Sequence, residues 1–372
     1  MKLGTGSMRC AARLIGFAAA AAIVLGQAPG LAPLPPAPAA SAAVATGIFN
    51  WIHSTADLDR GYAFYHEVFG IEMVNAVFGA IPGAPPPKTI RKRSEAAADP
   101  IIGDLTNTKG ARFRNVFMRL PNTPFGLELS EFNDIEARTV QPNLWDPGAT
   151  TLILEVRDID AVMAAVRKAG APIVTSSAAP VNIGTAKAPA RSILIRDPDG
   201  YLIEIMQATP DSLSHAEGGD TVIGAAIGLS LSDLDKERAF YSGMLGFAIH
   251  SGAGFKADKA VLDWMGLRKG RVRISAAYVP GTQARVEFYE FQGVSGSPVR
   301  LRIQDPGAPQ LQLRVHDLDP LIDRVKQAGY TFVSIGAKPI QPAFGRFVFA
   351  LDPNGVLVEF VEPSKPVAPG PR

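Results

Sequence analysis

Hydrophobic and polar positions along the chain repeat as one small unit, in which a short amphipathic helix lies between alternating strand patterns. The helix pattern runs over residues 57–70 (DLDRGYAFYHEVFG) and returns over residues 233–246 (DLDKERAFYSGMLG). An aspartate that can cap the first turn, an apolar face and a closing glycine predict a helix in both segments. The chain is therefore predicted to contain several copies of one supersecondary module.

The strand patterns around these helices also recur, and they divide the chain into four units. Residues 127–132 (LELSEF) match residues 286–291 (VEFYEF), and the turn sequence DPDG at 197–200 returns as DPNG at 352–355. Proline and glycine suit the backbone angles of such hairpin turns. Each unit is predicted to have the order βαβββ, and the four units form two tandem halves.

The first 46 residues differ in composition from the rest of the chain. Lys2, Arg9 and Arg13 precede an apolar run at 14–25, and an Ala/Pro-rich stretch follows, which is the layout of a secretory signal peptide. The apolar run is shorter than the roughly 20 residues that a membrane-spanning helix needs. The predicted segments are a leader at 1–46, tandem halves at 47–208 and 222–363, a Ser/Gly/Asp-rich linker at 209–221 and a disordered tail at 364–372.

Composition and charge are those of a globular protein. Hydrophobic residues make up 47% of the 372 residues and charged residues 19%, which suits a chain of about two domains. Removal of the three basic leader residues takes the formal charge from +2 to −1, so neither nucleic acid nor an anionic membrane surface is expected as a partner. Because the apolar run is short, no integral membrane span is expected after cleavage of the leader. The single cysteine, Cys10, lies in the leader, which leaves no disulfide in the exported part. We expect a secreted or periplasmic monomer or homodimer.

Each unit carries a glutamate between apolar neighbours on its last strand. These four residues are Glu128, Glu204, Glu287 and Glu359. Alternation along a strand places the neighbours on one face of the sheet and the glutamate on the other. Burying an unpaired carboxylate in a closed core costs on the order of several kcal/mol. The favoured interpretation is therefore that the glutamates face a polar cavity in each half. The alternative is that these carboxylates meet arginines or water and only shape the sheet.

Four βαβββ units with FY…G helices and DP[DN]G hairpins resemble the vicinal oxygen chelate superfamily, which includes glyoxalase I, bleomycin-resistance proteins and extradiol dioxygenases. The resemblance implies an α+β fold of two tandem domains of this family, in which paired units enclose a cavity. It also implies metal ligands on the first and last strands of each unit. Because the family hosts isomerases, dioxygenases, epimerases and non-catalytic binders, the resemblance specifies the fold better than the activity.

The first-strand positions of the four units lack the histidines that the resemblance implies. The residues seven positions before each helix-start aspartate are Asn50, Thr151, Ala226 and Gln310. An extradiol dioxygenase needs two histidines and a glutamate in one cavity, so that activity is disfavoured. His53 lies three residues past Asn50 and would complete a metal site with Glu128 and Glu204 if a bulge turned it inward. Otherwise it is a packed or rim residue.

Two insertions are candidates for covers over a ligand site. The first, at 79–112, is proline-rich and contains a predicted short helix around 99–105, and the second, at 256–267, places Trp264 on another short helix. Each insertion would cover either a small, partly apolar ligand or only the sheet itself.

Two functions remain open at this stage. The first is an exported binding protein that holds a small, partly apolar molecule between paired units. Its ligand-binding positions would be Asn50, Thr151, Glu287, Gln310, Glu359 and Trp264. The alternative is a metal-assisted lyase or isomerase of the glyoxalase type, with Glu128 and Glu204 as catalytic residues and His53 as a further metal ligand. Its cofactor would be one divalent metal ion, whereas the binding protein needs none.

Overall fold

A computed structural model describes residues 44–75, 89–184, 189–252 and 254–364. Residues 1–43 of the predicted leader, residues 76–88 with the proline-rich part of the first insertion and residues 365–372 of the predicted tail lie outside these ranges. Among the described residues, no helix is both long enough and apolar enough to cross a membrane.

The described part of the chain contains sixteen strands and seven α-helices in the repeating order that the sequence predicts. The strands are β1 (Ala45–Ser54), β2 (Met73–Val74), β3 (Ala97–Ala98), β4 (Arg112–Met118), β5 (Gly126–Asn133), β6 (Thr150–Val156), β7 (Val181–Asn182), β8 (Arg191–Arg196), β9 (Leu202–Gln207), β10 (Val222–Leu231), β11 (His250–Ser251), β12 (Arg271–Tyr278), β13 (Arg285–Gln292), β14 (Pro309–Val315), β15 (Gly345–Leu351) and β16 (Leu357–Pro363). The helices are α1 (Leu58–Phe69), α2 (Pro100–Thr106), α3 (Ile159–Lys168), α4 (Pro210–His215), α5 (Leu234–Glu237), α6 (Lys259–Trp264) and α7 (Leu318–Gln327).

Helix α1 begins and ends where its sequence predicts. The Asp57 side chain accepts hydrogen bonds from the backbone N–H groups of Asp59 and Arg60, and Gly70 ends the helix with a positive φ of 67°. The repeated copy differs, because α5 continues as a π-helix over Arg238–Met244. The segment predicted as a linker at 209–221 contains the short helix α4, which Thr209 caps.

The four units pair across the two sequence halves to form two sheets. Sheet A joins the first and fourth units in the order β15-β16-β14-β1-β5-β4-β2, and β3 pairs with β4. Sheet B joins the second and third units in the order β11-β12-β13-β10-β6-β9-β8-β7. The units of sheet A meet where β1 runs antiparallel to β14, and those of sheet B where β6 runs antiparallel to β10. The expectation of one cavity within each sequence half is therefore wrong.

One face of each sheet contributes to a large common core, which also buries the apolar sides of α1, α3 and α7. Strand alternation explains the choice of face: on β5, Leu127 and Leu129 belong to this core, whereas Glu128 lies on the opposite face. The same alternation holds for the last strands of the other three units. We call the face away from the common core the outer face of each sheet.

Candidate functional site

The outer face of sheet A forms the floor of a cavity of about 280 Å³, which α2 and the segment before β15 cover. Residues of the first and fourth units line it together: Ile52, Asp99, Ile101, Ile102, Leu105, Thr106, Phe113, Asn115, Phe117, Glu128, Ser130, Phe132, Gln310, Gln312, Ile340, Pro342, Phe344, Phe347, Phe349 and Glu359. We call it the sheet A cavity.

Glu128 stands on the floor of the cavity, held by two neighbouring side chains. Its Oε1 accepts a hydrogen bond from Asn115 Nδ2 at 2.7 Å and another from Ser130 Oγ at 3.3 Å. The side chain is buried, with the residue only 6% exposed. Desolvation raises the pKa of the Glu128 carboxyl from 4.5 to about 7, although both hydrogen bonds favour the charged form.

Glu359 stands on the same floor at the end of a chain of amide groups. Asn50 Nδ2 donates to Gln312 Oε1 at 2.9 Å, and Gln312 Nε2 donates to Glu359 Oε2 at 2.6 Å. Burial raises the pKa of the Glu359 carboxyl to about 8, and the nearby charge of Glu128 adds to the rise. Near neutral pH, the floor therefore carries two carboxyl groups that can gain or lose protons.

Phenylalanines from both units form most of the walls above this floor. Phe113 and Phe132 contact each other with ring centroids 5.1 Å apart, and Phe344 and Phe347 do so at 5.2 Å. Helix α2 closes one side as predicted: Asp99 caps it by accepting from Ile101 N, and it presents apolar side chains to the cavity. Ser334 Oγ of the fourth unit anchors this helix by donating to Leu105 O at 2.7 Å.

The outer face of sheet B is filled by protein side chains. Trp264 on α6 is 1% exposed and contacts Tyr289, with ring centroids 6.3 Å apart at an angle of 76°. Met265, Leu267 and the apolar residues of β8, β9 and β12 complete this cluster. The predicted short helix is confirmed, but the expectation that Trp264 contacts a ligand is corrected, because the indole is part of this packed core.

Two of the predicted glutamates lie on the filled face of sheet B. Glu204 accepts a hydrogen bond from Ser192 Oγ at 2.6 Å, and Glu287 forms an ion pair with Arg285 and accepts from Tyr289 Oη at 3.0 Å. Burial and the charge of Glu287 raise the pKa of Glu204 to about 8. Thr151 lies on β6 in register with Gly228, whose other neighbour is Glu287, and it is also buried. Because Glu128 and Glu204 belong to different sheets, their predicted joint site is wrong.

His53 points away from the sheet A cavity. Its ring stacks on Tyr201 at a centroid distance of 4.7 Å, and Nε2 lies 2.9 Å from Tyr65 Oη and 3.4 Å from Asp197 Oδ2. The residue is fully buried on the core side of β1, next to α1. Its predicted role as a metal ligand with Glu128 and Glu204 is therefore corrected, and the packed alternative describes its position.

The donor atoms on the cavity floor do not fit the metal centre that the resemblance implies. In the register of sheet A, Glu359 lies opposite Gln312, whereas the corresponding partner of Glu128 is the apolar Ile52. Gln312 uses its amide to join Asn50 and Glu359, and no imidazole of the described residues lines the cavity. Among the described residues, no group of three or more His, Cys, Asp or Glu side chains is placed to hold a metal ion.

Of the predicted ligand positions, the structure brings Asn50, Gln310 and Glu359 together with Glu128 at this floor. Gln310 Nε2 donates to Ser54 Oγ at 3.3 Å and lines the cavity directly. The sequence reasoning missed Gln312, which shares a strand face with Gln310, and it missed Asn115 on β4. Polar residues at alternate positions of β14 place Gln312 on the same face as Gln310, and this pattern could have predicted it.

Comparison with known proteins places this chain in one family. Residues 49–205 and 225–360 match the model of the Glyoxalase/Bleomycin resistance protein/Dioxygenase superfamily, and the chain belongs to this superfamily. Glyoxalase I from Zea mays superposes with a TM-score of 0.53 at 17% identity, over 85% of this chain and 92% of that chain. A glyoxalase I mutant from Zea mays gives 0.54 at 16%, over 85% and 93%. At these identities the likeness shows the fold alone. No protein with curated information matches the chain in sequence.

Proposed function

We propose that this chain is an exported binding protein that holds a small, partly apolar molecule in the sheet A cavity. The observation that carries the proposal is the combination of aromatic walls with a polar floor, since ligand sites are mostly apolar with a few converging polar groups. The cavity volume is close to the lower end of the range for such sites, which is roughly 300 Å³. Its donor set supports binding without the metal-assisted chemistry of the glyoxalase alternative.

Export is the second part of the proposal, and it rests on the basic and apolar pattern of residues 1–46. N-terminal sequencing of the protein recovered from its native cells measures it directly. We expect the mature chain to start near residues 40–46, and a start at Met1 or Lys2 would contradict export through a cleaved leader.

One observation favours a second candidate function, metal-free proton transfer on the bound molecule. A general acid or base works best when its pKa is near the working pH, and the pKa of Glu128 is raised to about 7. A proton-transfer enzyme would convert the molecule it binds, whereas a binding protein would return it unchanged. Chemical analysis of a ligand after long incubation with the protein therefore separates the two candidates.

The binding proposal is tested by filling the cavity from α2. Ile102 lines the cavity, whereas Asp104 on the same helix has an exposed side chain and does not. We expect small aromatic compounds to raise the melting temperature of the wild type and of Asp104→Trp, but not of Ile102→Trp, where the indole occupies the cavity. Compounds that stabilise Ile102→Trp as strongly as Asp104→Trp would contradict the proposal.

A further inference from the structure

The charges that the described residues bring to the sheet A cavity are all of one sign. In the described part of the chain, the charged residues that line it are Asp99, Glu128 and Glu359, with no lysine, arginine or histidine beside them. β1, β4, β14 and β15 contribute only uncharged side chains to the lining, so these three carboxyl groups are the titratable groups that the described residues direct at the cavity. An anionic ligand, such as a carboxylate or a phosphate, would enter this cavity without a counter-charge.

Each floor carboxyl keeps one oxygen for a ligand. Asn115 and Ser130 both donate to Oε1 of Glu128, and Gln312 donates to Oε2 of Glu359. Among the described residues, neither Glu128 Oε2 nor Glu359 Oε1 has a hydrogen-bond partner. The charge of Glu128 also raises the pKa of Glu359, so the two carboxylates repel each other when both are ionised. A positive charge beside them would relieve this repulsion.

The walls of the cavity are aromatic and therefore also suit a cation. Six phenylalanines line the cavity: Phe113, Phe117, Phe132, Phe344, Phe347 and Phe349. The negative faces of aromatic rings attract organic cations, most strongly where water is excluded. Phenylalanine offers no hydrogen bond in return, which favours a cation that is itself alkylated and weakly hydrated.

We propose that the occupant of the sheet A cavity is an organic cation, a quaternary or protonated amine attached to an apolar body. Its charged nitrogen lies next to Glu128 and Glu359, and its apolar body lies against the phenylalanines. The inference rests on the proposed binding function and adds the chemical class of the ligand. Binding of the cation favours the ionised carboxylates, so protons leave the floor for solvent as the complex forms.

Three probes of nearly equal shape test the charge preference: phenyltrimethylammonium, neutral tert-butylbenzene and anionic benzenesulfonate. Their dissociation constants are measured by saturation-transfer NMR at pH 6 and pH 8. We expect the cation to bind at least about tenfold more tightly at pH 8, because the floor ionises in this range while the probe keeps its charge. We expect tert-butylbenzene to show no such change and benzenesulfonate not to bind.

Glutamine variants locate the effect. Glu128→Gln and Glu359→Gln each remove one charge, and Glu204→Gln is the matched control at the same strand position of sheet B. At pH 8 we expect each cavity variant to weaken binding of the cation about tenfold or more while tert-butylbenzene stays within about twofold, and we expect the control to bind like the wild type. Melting curves of the free variants verify that they are folded.

The outcomes separate the ligand class from the binding function. Equal affinity for tert-butylbenzene and the cation, or cation affinity that is independent of pH and of both glutamates, would overturn the inference. If, in either case, the probes bound the wild type but not Ile102→Trp, the proposed binding function would stand. If every probe bound Ile102→Trp as tightly as the wild type, or if no probe bound at all, both the ligand class and the proposed binding function would be overturned.

Discussion

Glu128 shows how burial alone can prepare a side chain for a ligand. It accepts hydrogen bonds from two neutral groups, Asn115 and Ser130, and no cation compensates its charge among the described residues. Such partners satisfy a carboxyl group without holding it in the ionised form as an arginine would. The cost of the unpaired charge appears as a raised pKa, and it should be measurable as a dependence of protein stability on pH.

We predict that Glu128→Gln becomes more stable relative to the wild type as the pH rises. The pKa of Glu128 is about 7 in the folded protein and 4.5 for an ordinary glutamate, so its contribution to folding is fully present below about pH 4.5 and is lost as the pH rises through 7. This loss approaches about 3 kcal/mol, at roughly 1.4 kcal/mol for each pKa unit. Glutamine stays neutral and escapes the loss.

Urea unfolding of both proteins at pH 5 and pH 8 measures this difference in the free energy of unfolding. Between pH 5 and pH 8, the gap between variant and wild type should move in favour of the variant by about 2.5 kcal/mol, since part of the full change lies below pH 5. A gap that is the same at both pH values would show that water or another group relieves the Glu128 charge.

At the scale of elements, α2 and α6 cover the outer faces of the two sheets with opposite results. Helix α6 inserts Trp264 against sheet B, where the indole fills the space in front of Tyr289. Helix α2 presents Ile102 and Leu105, whose smaller side chains leave the sheet A cavity open. The size of the side chains that face the sheet therefore decides whether the cover makes a core or a site.

We predict that Trp264→Ala lowers the free energy of unfolding by about 3 to 5 kcal/mol, because it leaves a large cavity in a packed cluster. Ile102→Ala on α2 is the matched control, and it should cost less than about 1.5 kcal/mol, since Ile102 borders a cavity that already exists. Chemical denaturation measures both values. Similar costs for the two variants would contradict the different roles of the two helices.

The contrast between helices α2 and α6 shows which features local sequence patterns can predict and which they cannot. The aspartate that caps α1, the glycine that ends α1 and the DPDG turn are local signals, and the structure has these elements where the signals predict them. Alternation also gave the correct face for Glu128 and Glu359. The filling of the face of sheet B by Trp264 depends on how a distant segment folds back, which no local pattern records.

At the scale of the whole molecule, the site exists because the first unit pairs with the fourth. Strand β1 lies between β5 and β14, so residues more than 180 positions apart in the chain share one floor. The repeated sequence pattern could not reveal this arrangement, because every unit offers the same kind of strand edge to any other unit. The prediction that Glu128 acts with Glu204 was wrong for this reason, although both glutamates were assigned to the right strand face.

This pairing predicts that neither sequence half folds alone as a stable monomer. Residues 44–216 would retain β1 and β6 but lose β14 and β10, the antiparallel partners of these central strands. Two exposed apolar strand edges and half of the common core would face water, at a cost that a marginally stable protein cannot bear. We expect each half, expressed separately, to show no cooperative thermal transition as a monomer in circular dichroism.

An equimolar mixture of residues 44–216 and 217–364 should regain the transition and elute as one complex, because together they restore both sheets. A monomeric half with a cooperative transition of its own would mean that units can pair within a half, and the sheet A cavity would then no longer be required by the fold.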